Sequence, residues 1–312
     1  MSWRLLAVSA LALAMGLVFG GLRVASAVDS AASFGRVSQL AHLGQQVTVL
    51  TQALEYERDT TTGTAPITTP QQLAALQPAY AATNTAAASV RTLADGIGGS
   101  FPANIQAKVA SVLSVTTNLA SMRADAQRGQ SALSVIAAYA TPISDMISLN
   151  AQIAQGTSDA ALANDVQTLT TLSQAKDEAA QQRALLYNAI LNTNLADGEL
   201  QALQTAATEQ AADQLAFGTT ATHAESLDFF NTVGGSQVSA AESIETYILD
   251  NGAADTLTLG QGGFTDPNAL AKNWFTDMSA TIGATQAVEG QVADNIVARA
   301  QVLQQGAESS AL

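Results

Sequence analysis

Five apolar residues, Leu40, Leu43, Val47, Leu50 and Leu54, recur at spacings of three, four, three and four. Only a helix brings such a series onto one face, and a face this regular is the seam of a bundle or coiled coil. The next step along the seam falls on Glu57, with Arg58 beside it. An ion-pairing couple therefore stands where another apolar residue is due. A second helical stripe runs through Leu162, Val166, Leu169, Leu172, Lys176, Ala179, Arg183, Leu186 and Ile190. Arg183 lies on this stripe, and its neighbours three and four positions away, Ala180, Ala179, Leu186 and Tyr187, are all non-acidic. With no salt-bridge partner on its own helix, Arg183 must find one on another helix, in solvent or in a bound anion.

The chain of 312 residues is long enough for one large domain or two small ones. Only six prolines interrupt it, which leaves room for long helices. It has no cysteine, which excludes disulfides, thiolate metal sites and cysteine nucleophiles. The formal net charge is −14. Arg4 and Arg23 precede Asp29 and no acidic residue does, so residues 29–312 carry 10 basic against 26 acidic residues. Such a surface repels nucleic acid, whose binding rests on phosphate neutralisation. It repels small anions too, so an anion site here has to be local, enclosed and rich in donors.

Taken in order, Leu5 to Leu22 is an uncharged run of 18 residues between Arg4 and Arg23. That length reaches the lower end of a membrane span. A cleaved signal peptide is the competing reading, since Ala25-Ser26-Ala27 has the small-x-small form of a cleavage site. Residues 1–28 are thus an anchor or a signal segment, and residues 29–312 a helical domain outside the cytoplasm. Its helices are expected over about Ser30–Thr60, Gln71–Ala94 with Pro78 as a late start or kink, a third with Ile105, Val109, Leu113, Leu119 and Met122 on its apolar side, and a fourth from Ser131 that meets Pro142. The Arg183 helix spans Ser158 to Thr193. A long helix with Asp197 as its cap runs to about Phe230, a short one covers Val238–Asp250, and a final rod starts at Asp266-Pro267. Asp250 to Asp266 is an aperiodic loop. Eight helices and no strand pattern give an all-α fold, with antiparallel neighbours where turns are short.

The segments Ala31-Ala-Ser-Phe-Gly-Arg-Val37 through Leu54-Glu-Tyr-Glu-Arg-Asp59, and Ser173-Gln-Ala-Lys-Asp-Glu-Ala-Ala-Gln-Gln-Arg-Ala-Leu-Leu186, resemble the nitrate- and nitrite-sensing domain at the front of membrane-bound sensor histidine kinases. The resemblance implies two four-helix bundles behind one N-terminal transmembrane helix. It also implies a small-anion site, for nitrate or nitrite, on the helices carrying Arg58 and Arg183, and a role as the input module of a two-component system. A retained anchor follows from the same source, and a homodimer formed through the helix rods is expected beside it. The sequence departs from the family pattern at three places. Gln182-Arg183 stands for the usual Glu-Arg pair, Asp59 stands beside Arg58 where the family has a further arginine, and Thr222 to Phe230 contains no arginine.

Nitrate is a flat monoanion with three acceptor oxygens, matched in shape and charge by a guanidinium fork. Arg58 and Arg183 are the expected ligand-binding residues, with Gln182, Thr61 and Thr62 as auxiliary neutral donors. In the competing reading the domain is a structural or protein-interaction bundle with no small ligand. Arg58 then pairs with Glu55 one turn back, and Arg183 pairs across the bundle with Glu57. His42 and His223 are too few and too isolated for a metal site, and no cofactor is expected. No catalytic dyad, kinase histidine motif or ATP-binding box is present in the sequence, so no enzymatic activity is expected of this chain.

Overall fold

The computed structural model describes residues 2–129, 131–155, 159–251 and 266–311, with side chains from Ser30 to Ser309 apart from Asn251. Among these residues every regular element is an α-helix: α1 (Ser2–Thr64), α2 (Pro70–Ala75), α3 (Gln77–Ala94), α4 (Ala103–Thr117), α5 (Leu119–Arg128), α6 (Ala132–Asn150), α7 (Ala160–Asn192), α8 (Glu199–Thr220), α9 (His223–Thr232), α10 (Ser236–Asn251) and α11 (Pro267–Ala311). The all-α class is as expected, but the boundaries differ in instructive ways.

The helix expected to begin near Ser30 is the continuation of one rod that starts at Ser2. It also runs past Thr60, through a stretch expected to be loop. The hydroxyls of Thr60, Thr61, Thr62 and Thr64 donate back to the carbonyls of Tyr56, Glu57, Arg58 and Thr60. Those bonds satisfy the polar side chains within the helix and let it continue. Three expected helices are each split in two. Leu76 ends α2 and precedes α3, whose Pro78 brings no backbone donor to a helix start. Asn118 ends α4 by turning its amide onto the Ser114 carbonyl at 2.8 Å. Thr222 caps α9 in a reciprocal box with Glu225: the Thr222 N–H donates to the Glu225 carboxylate at 2.8 Å, and the Glu225 N–H to the Thr222 hydroxyl at 3.3 Å. Asp197 is not the cap of α8. Gly198 takes that position at φ +84°, a region glycine enters freely, and Glu199 accepts the Ala196 N–H. Ser131 caps α6, which carries Pro142 inside it without a break. Asp159 caps α7, and Asp266 accepts the Asn268 N–H at the head of α11. The loop expected between Asp250 and Asp266 lies almost wholly outside the described residues.

Three long helices organise the rest. Cross-contacts between α1 and α11 run from Gly35 beside Gln304, through Gln45 with Asp294, to Tyr56 against Phe275. The two are therefore antiparallel over the length of the domain. Helix α7 is parallel to α1, with Arg58 meeting Asp177 and Asn188 meeting Thr62. It is antiparallel to α11, with Asp165 meeting Arg299 and Arg183 meeting Ser279.

Two large apolar cores and a small third cluster of Leu172, Phe217 and Val288 form around this trio. One is built on Leu43, Leu50 and Leu54 of α1 and gathers residues such as Val90, Val112, Tyr139, Leu169 and Ile296. The other is built on Leu186 and Ile190 of α7 and gathers Leu203, Ile244 and Trp274. Helix α6 is long and apolar enough to cross a membrane, yet Val135, Tyr139, Ile143 and Met146 are buried in the first core, which accounts for that composition. The side chains of the expected anchor, Leu5 to Leu22, lie outside the described residues.

Close approach of α1 to α7 depends on Gly63. A Cβ built there falls 2.0 Å from Tyr187 Cδ1, well inside van der Waals contact. We predict that Gly63→Ala displaces the Tyr187 ring and destabilises the domain by roughly 1–3 kcal/mol. Gly290→Ala, in the exposed interior of α11 with nothing within 4 Å of the added carbon, should instead stabilise by about 0.5–1 kcal/mol. Urea unfolding of the two variants checks both signs.

Candidate functional site

Between the two apolar cores, α1, α7 and α11 bury a layer of charge. Arg58, 1% exposed, projects from α1, and Arg183, 3% exposed, from α7. Both meet the carboxylate of Asp59, itself fully buried. Asp59 Oδ1 accepts from Arg58 Nε at 2.9 Å, and Oδ2 accepts from Arg183 Nε at 3.0 Å and Nη2 at 2.7 Å. Arg58 Nη1 donates to Asp177 Oδ1 at 2.6 Å, while its Nη2 is buried with no partner. Arg183 Nη1 donates to Ser279 Oγ at 3.0 Å. The Arg183 guanidinium lies 4.9 Å from the Phe275 ring centre and 5.6 Å from that of Tyr56, and Trp274 Nε1 donates to the Arg183 carbonyl. The arginine is thus held by ionic, aromatic and backbone contacts at once. Burial works against the Arg58 charge, but Asp177, Asp59 and Glu55 outweigh it and raise its pKa further.

The two expected ligand-binding arginines are therefore brought together, on a carboxylate that neither expected pairing included. Arg58 does not pair with Glu55, nor Arg183 with Glu57. Glu57 faces the opposite side of α1. Its carboxylate accepts from Arg123 Nε at 3.0 Å and Nη2 at 2.7 Å, and from the Tyr139 hydroxyl at 2.9 Å. Of the auxiliary residues, Gln182 is buried and donates to Gln210 Oε1 at 2.6 Å, leaving its own Oε1 without a partner. Thr61 and Thr62 direct their hydroxyl protons to backbone carbonyls of α1. They present oxygen acceptors to their surroundings.

Sequence reasoning did not single out the neighbouring cluster of Glu55, Lys176, Glu289 and Ser173. Lys176 Nζ, fully buried, lies 2.5 Å from Glu289 Oε2 and 3.6 Å from Glu55 Oε2. Ser173 donates to the other Glu289 oxygen. Neither oxygen of Glu55 has a hydrogen-bond partner. Burial pushes the Glu55 carboxyl up to about 8, with Lys176 only partly offsetting it. Burial would lower the Lys176 ammonium, but Glu289 and Glu55 raise it instead. The available signal was Lys176 itself, a charged residue on the apolar stripe of α7.

Beside this layer, Asp177 and Glu178 line a cavity of about 530 Å³ together with Gln174, Glu209 and Asp213. Burial, then Asp177 and Glu209, raise Glu178 to about 8. Four carboxylates and no cation stand in the lining of this cavity, a setting unfavourable to an anion.

The Glu55 environment fixes a sign for the pH dependence of stability. Its folded pKa of about 8 exceeds the ordinary value of 4.5, so the folded state keeps a proton that the unfolded chain releases in that interval. The contribution is greatest below pH 4.5 and declines as pH rises to about 8. We predict that Glu55→Gln, which needs no proton, matches the native chain near pH 5 and exceeds it by roughly 1–3 kcal/mol near pH 8.5. Urea unfolding at the two pH values checks this, and an equal difference at both would remove Glu55 as the cause.

The family profile described as nitrate and nitrite sensing (NIT) matches residues 49–297, a span that contains Arg58, Asp59, Lys176, Arg183 and Glu289. Among solved structures, the chain is similar to one described as the NasR transcription antiterminator, with a TM-score of 0.72 and 15% sequence identity. The alignment covers 89% of this chain and 78% of that one. At this identity the likeness concerns the fold. No curated protein matches the chain. With the family profile spanning well over half its length, the chain belongs to the nitrate- and nitrite-sensing (NIT) family.

Proposed function

We propose that this chain is the membrane-anchored, extracytoplasmic input module of a two-component histidine kinase, and that it responds to a small oxyanion, nitrate or nitrite, at Arg58 and Arg183. The observation that carries this reading is the convergence of two buried guanidiniums from different helices within the span matched by the family. The unpaired Nη2 of Arg58 adds a donor that lacks an acceptor. A surface ion pair contributes about 0–1 kcal/mol, whereas micromolar binding needs about 8 kcal/mol. Burial of both arginines supplies a lower-dielectric setting in which each ionic contact is stronger than at the surface.

The output path is read from the same three helices. Gly35 lies beside Gln304, so the start of the domain in α1 and the end of α11 leave it at one end, as two helices leading to a membrane would. Ligand exchange in the charged layer would change the packing of α11 on α1 between discrete arrangements. The two apolar cores correspond in this reading to two four-helix bundles sharing the long helices, and two copies associate through the rods. The formal charge of −14 disfavours a nucleic-acid output from this surface.

A second reading, a ligand-free interaction bundle, is favoured by one observation: both oxygens of Asp59 are already satisfied by the two arginines. The readings separate in a thermal-shift titration of the full-length protein in detergent, at matched ionic strength. Nitrate or nitrite at ~100 times its dissociation constant should stabilise by about 2.7 kcal/mol, roughly 5–10 °C for a domain of this size. Chloride and sulfate should not. Arg58→Lys and Arg183→Lys keep the charge but lose the fork, and should abolish the shift. Equal shifts for all four anions, or none, would leave the ligand-free bundle as the better account.

A further inference from the structure

Asp59 meets both guanidiniums, as an anion shared between them would. Its carboxylate is a planar group carrying one negative charge, and it bridges Arg58 and Arg183 with one oxygen on each. It is nevertheless an imperfect occupant. Asp59 follows Arg58 directly in the same helix, and it reaches that arginine through Nε alone. Nη1 turns to Asp177 and Nη2 stays buried without a partner. A free nitrate is also planar and singly charged, but it has a third oxygen and no tether. It can accept from both guanidiniums and still present an oxygen to a further donor.

We propose that Asp59 is an internal anion surrogate: its carboxylate competes with planar monovalent oxyanions for the space between Arg58 and Arg183, and so sets the affinity of the site. This rests on the oxyanion reading of the same pair and goes beyond it by naming the residue that tunes the site and the class of ligand. Losing the Asp59 charge leaves two buried guanidiniums short of one negative charge, and a monovalent planar anion restores it. Chloride offers the charge without the paired acceptor oxygens. Sulfate is tetrahedral and brings a second charge.

The test is a titration of the full-length native chain, Asp59→Asn and Asp177→Asn with nitrate, formate, chloride and sulfate, followed by calorimetry and by melting temperature. Asp59→Asn is expected to bind nitrate and formate at least about tenfold more tightly than the native chain, equivalent to about 1.4 kcal/mol. Asp177→Asn also removes a negative partner of Arg58, but one that does not bridge to Arg183, and should show no such gain. Equal nitrate affinity in the native chain and Asp59→Asn overturns the surrogate role and leaves the sensing reading standing. Binding by Asp59→Asn alone supports the surrogate role and removes nitrate sensing from the native chain. Absence of binding in both overturns the two together. An equal gain in Asp177→Asn reduces the effect to general charge and overturns the proposal. If Asp59→Asn does not fold in chloride buffer, recovery of helical, monodisperse protein with nitrate or formate supports the proposal, and no recovery with any anion overturns it.

Discussion

The cost of burying charge governs this molecule. An isolated ion taken from water into the space between three helices is prohibitive, so each one must meet a partner there. Asp59 is the clearest case, a fully buried carboxylate clamped by two guanidiniums from two helices. Around it, among the described residues, Arg58, Lys176 and Arg183 lie with Glu55, Asp177, Glu178 and Glu289, while Glu57 pairs with Arg123 on the opposite side of α1. Carboxylates outnumber cations in this layer. Burial raises both Glu55 and Glu178 to about 8, which lessens the excess of negative charge.

This layer also fixes how the long helices sit against one another. Apolar contacts tolerate sliding and repacking, whereas a bidentate arginine or a lysine between two glutamates does not. The pairs Arg58–Asp177, Arg183–Asp59 and Lys176–Glu289 set the registers of α1, α7 and α11 at the level where one apolar core gives way to the other. A change in the charge of the layer therefore acts on the two helices that run the length of the domain. A ligand site here would be well placed to alter their packing. The same residues built into a peripheral loop would have no such leverage.

Much of this was legible in the sequence, and the limits are physical. The stripe from Leu40 to Leu54 and its interruption at Glu57 and Arg58 located the charged layer. The absence of an acidic neighbour for Arg183 left another helix, solvent or a bound anion as the source of its partner, and Asp59 of α1 is that partner. What periodicity cannot supply is the identity of the helix opposite each face. Glu57 and Asp59 are about 200° apart around α1, so one meets Arg123 and Tyr139 on α5 and α6 while the other meets Arg183 on α7. The expected Arg183–Glu57 pair failed on that point alone. The break between α8 and α9 had a sequence signal in the capping-box spacing of Thr222 and Glu225, which the reading of one long helix to Phe230 did not use. Lys176 was visible on its stripe, yet only the converging Glu55 and Glu289 reveal why a lysine is tolerated there.

The central claim is that the Arg58–Arg183 junction is an anion site whose present occupant is Asp59. The most direct measurement is a pair of crystal structures of the protein, grown with and without nitrate at the same pH and ionic strength. The account predicts planar density within hydrogen-bonding distance of both guanidiniums in the nitrate form, with the Asp59 carboxylate withdrawn from at least one of them. An Asp59 carboxylate that still bridges Arg58 and Arg183 in saturating nitrate, with any anion bound elsewhere, would contradict it.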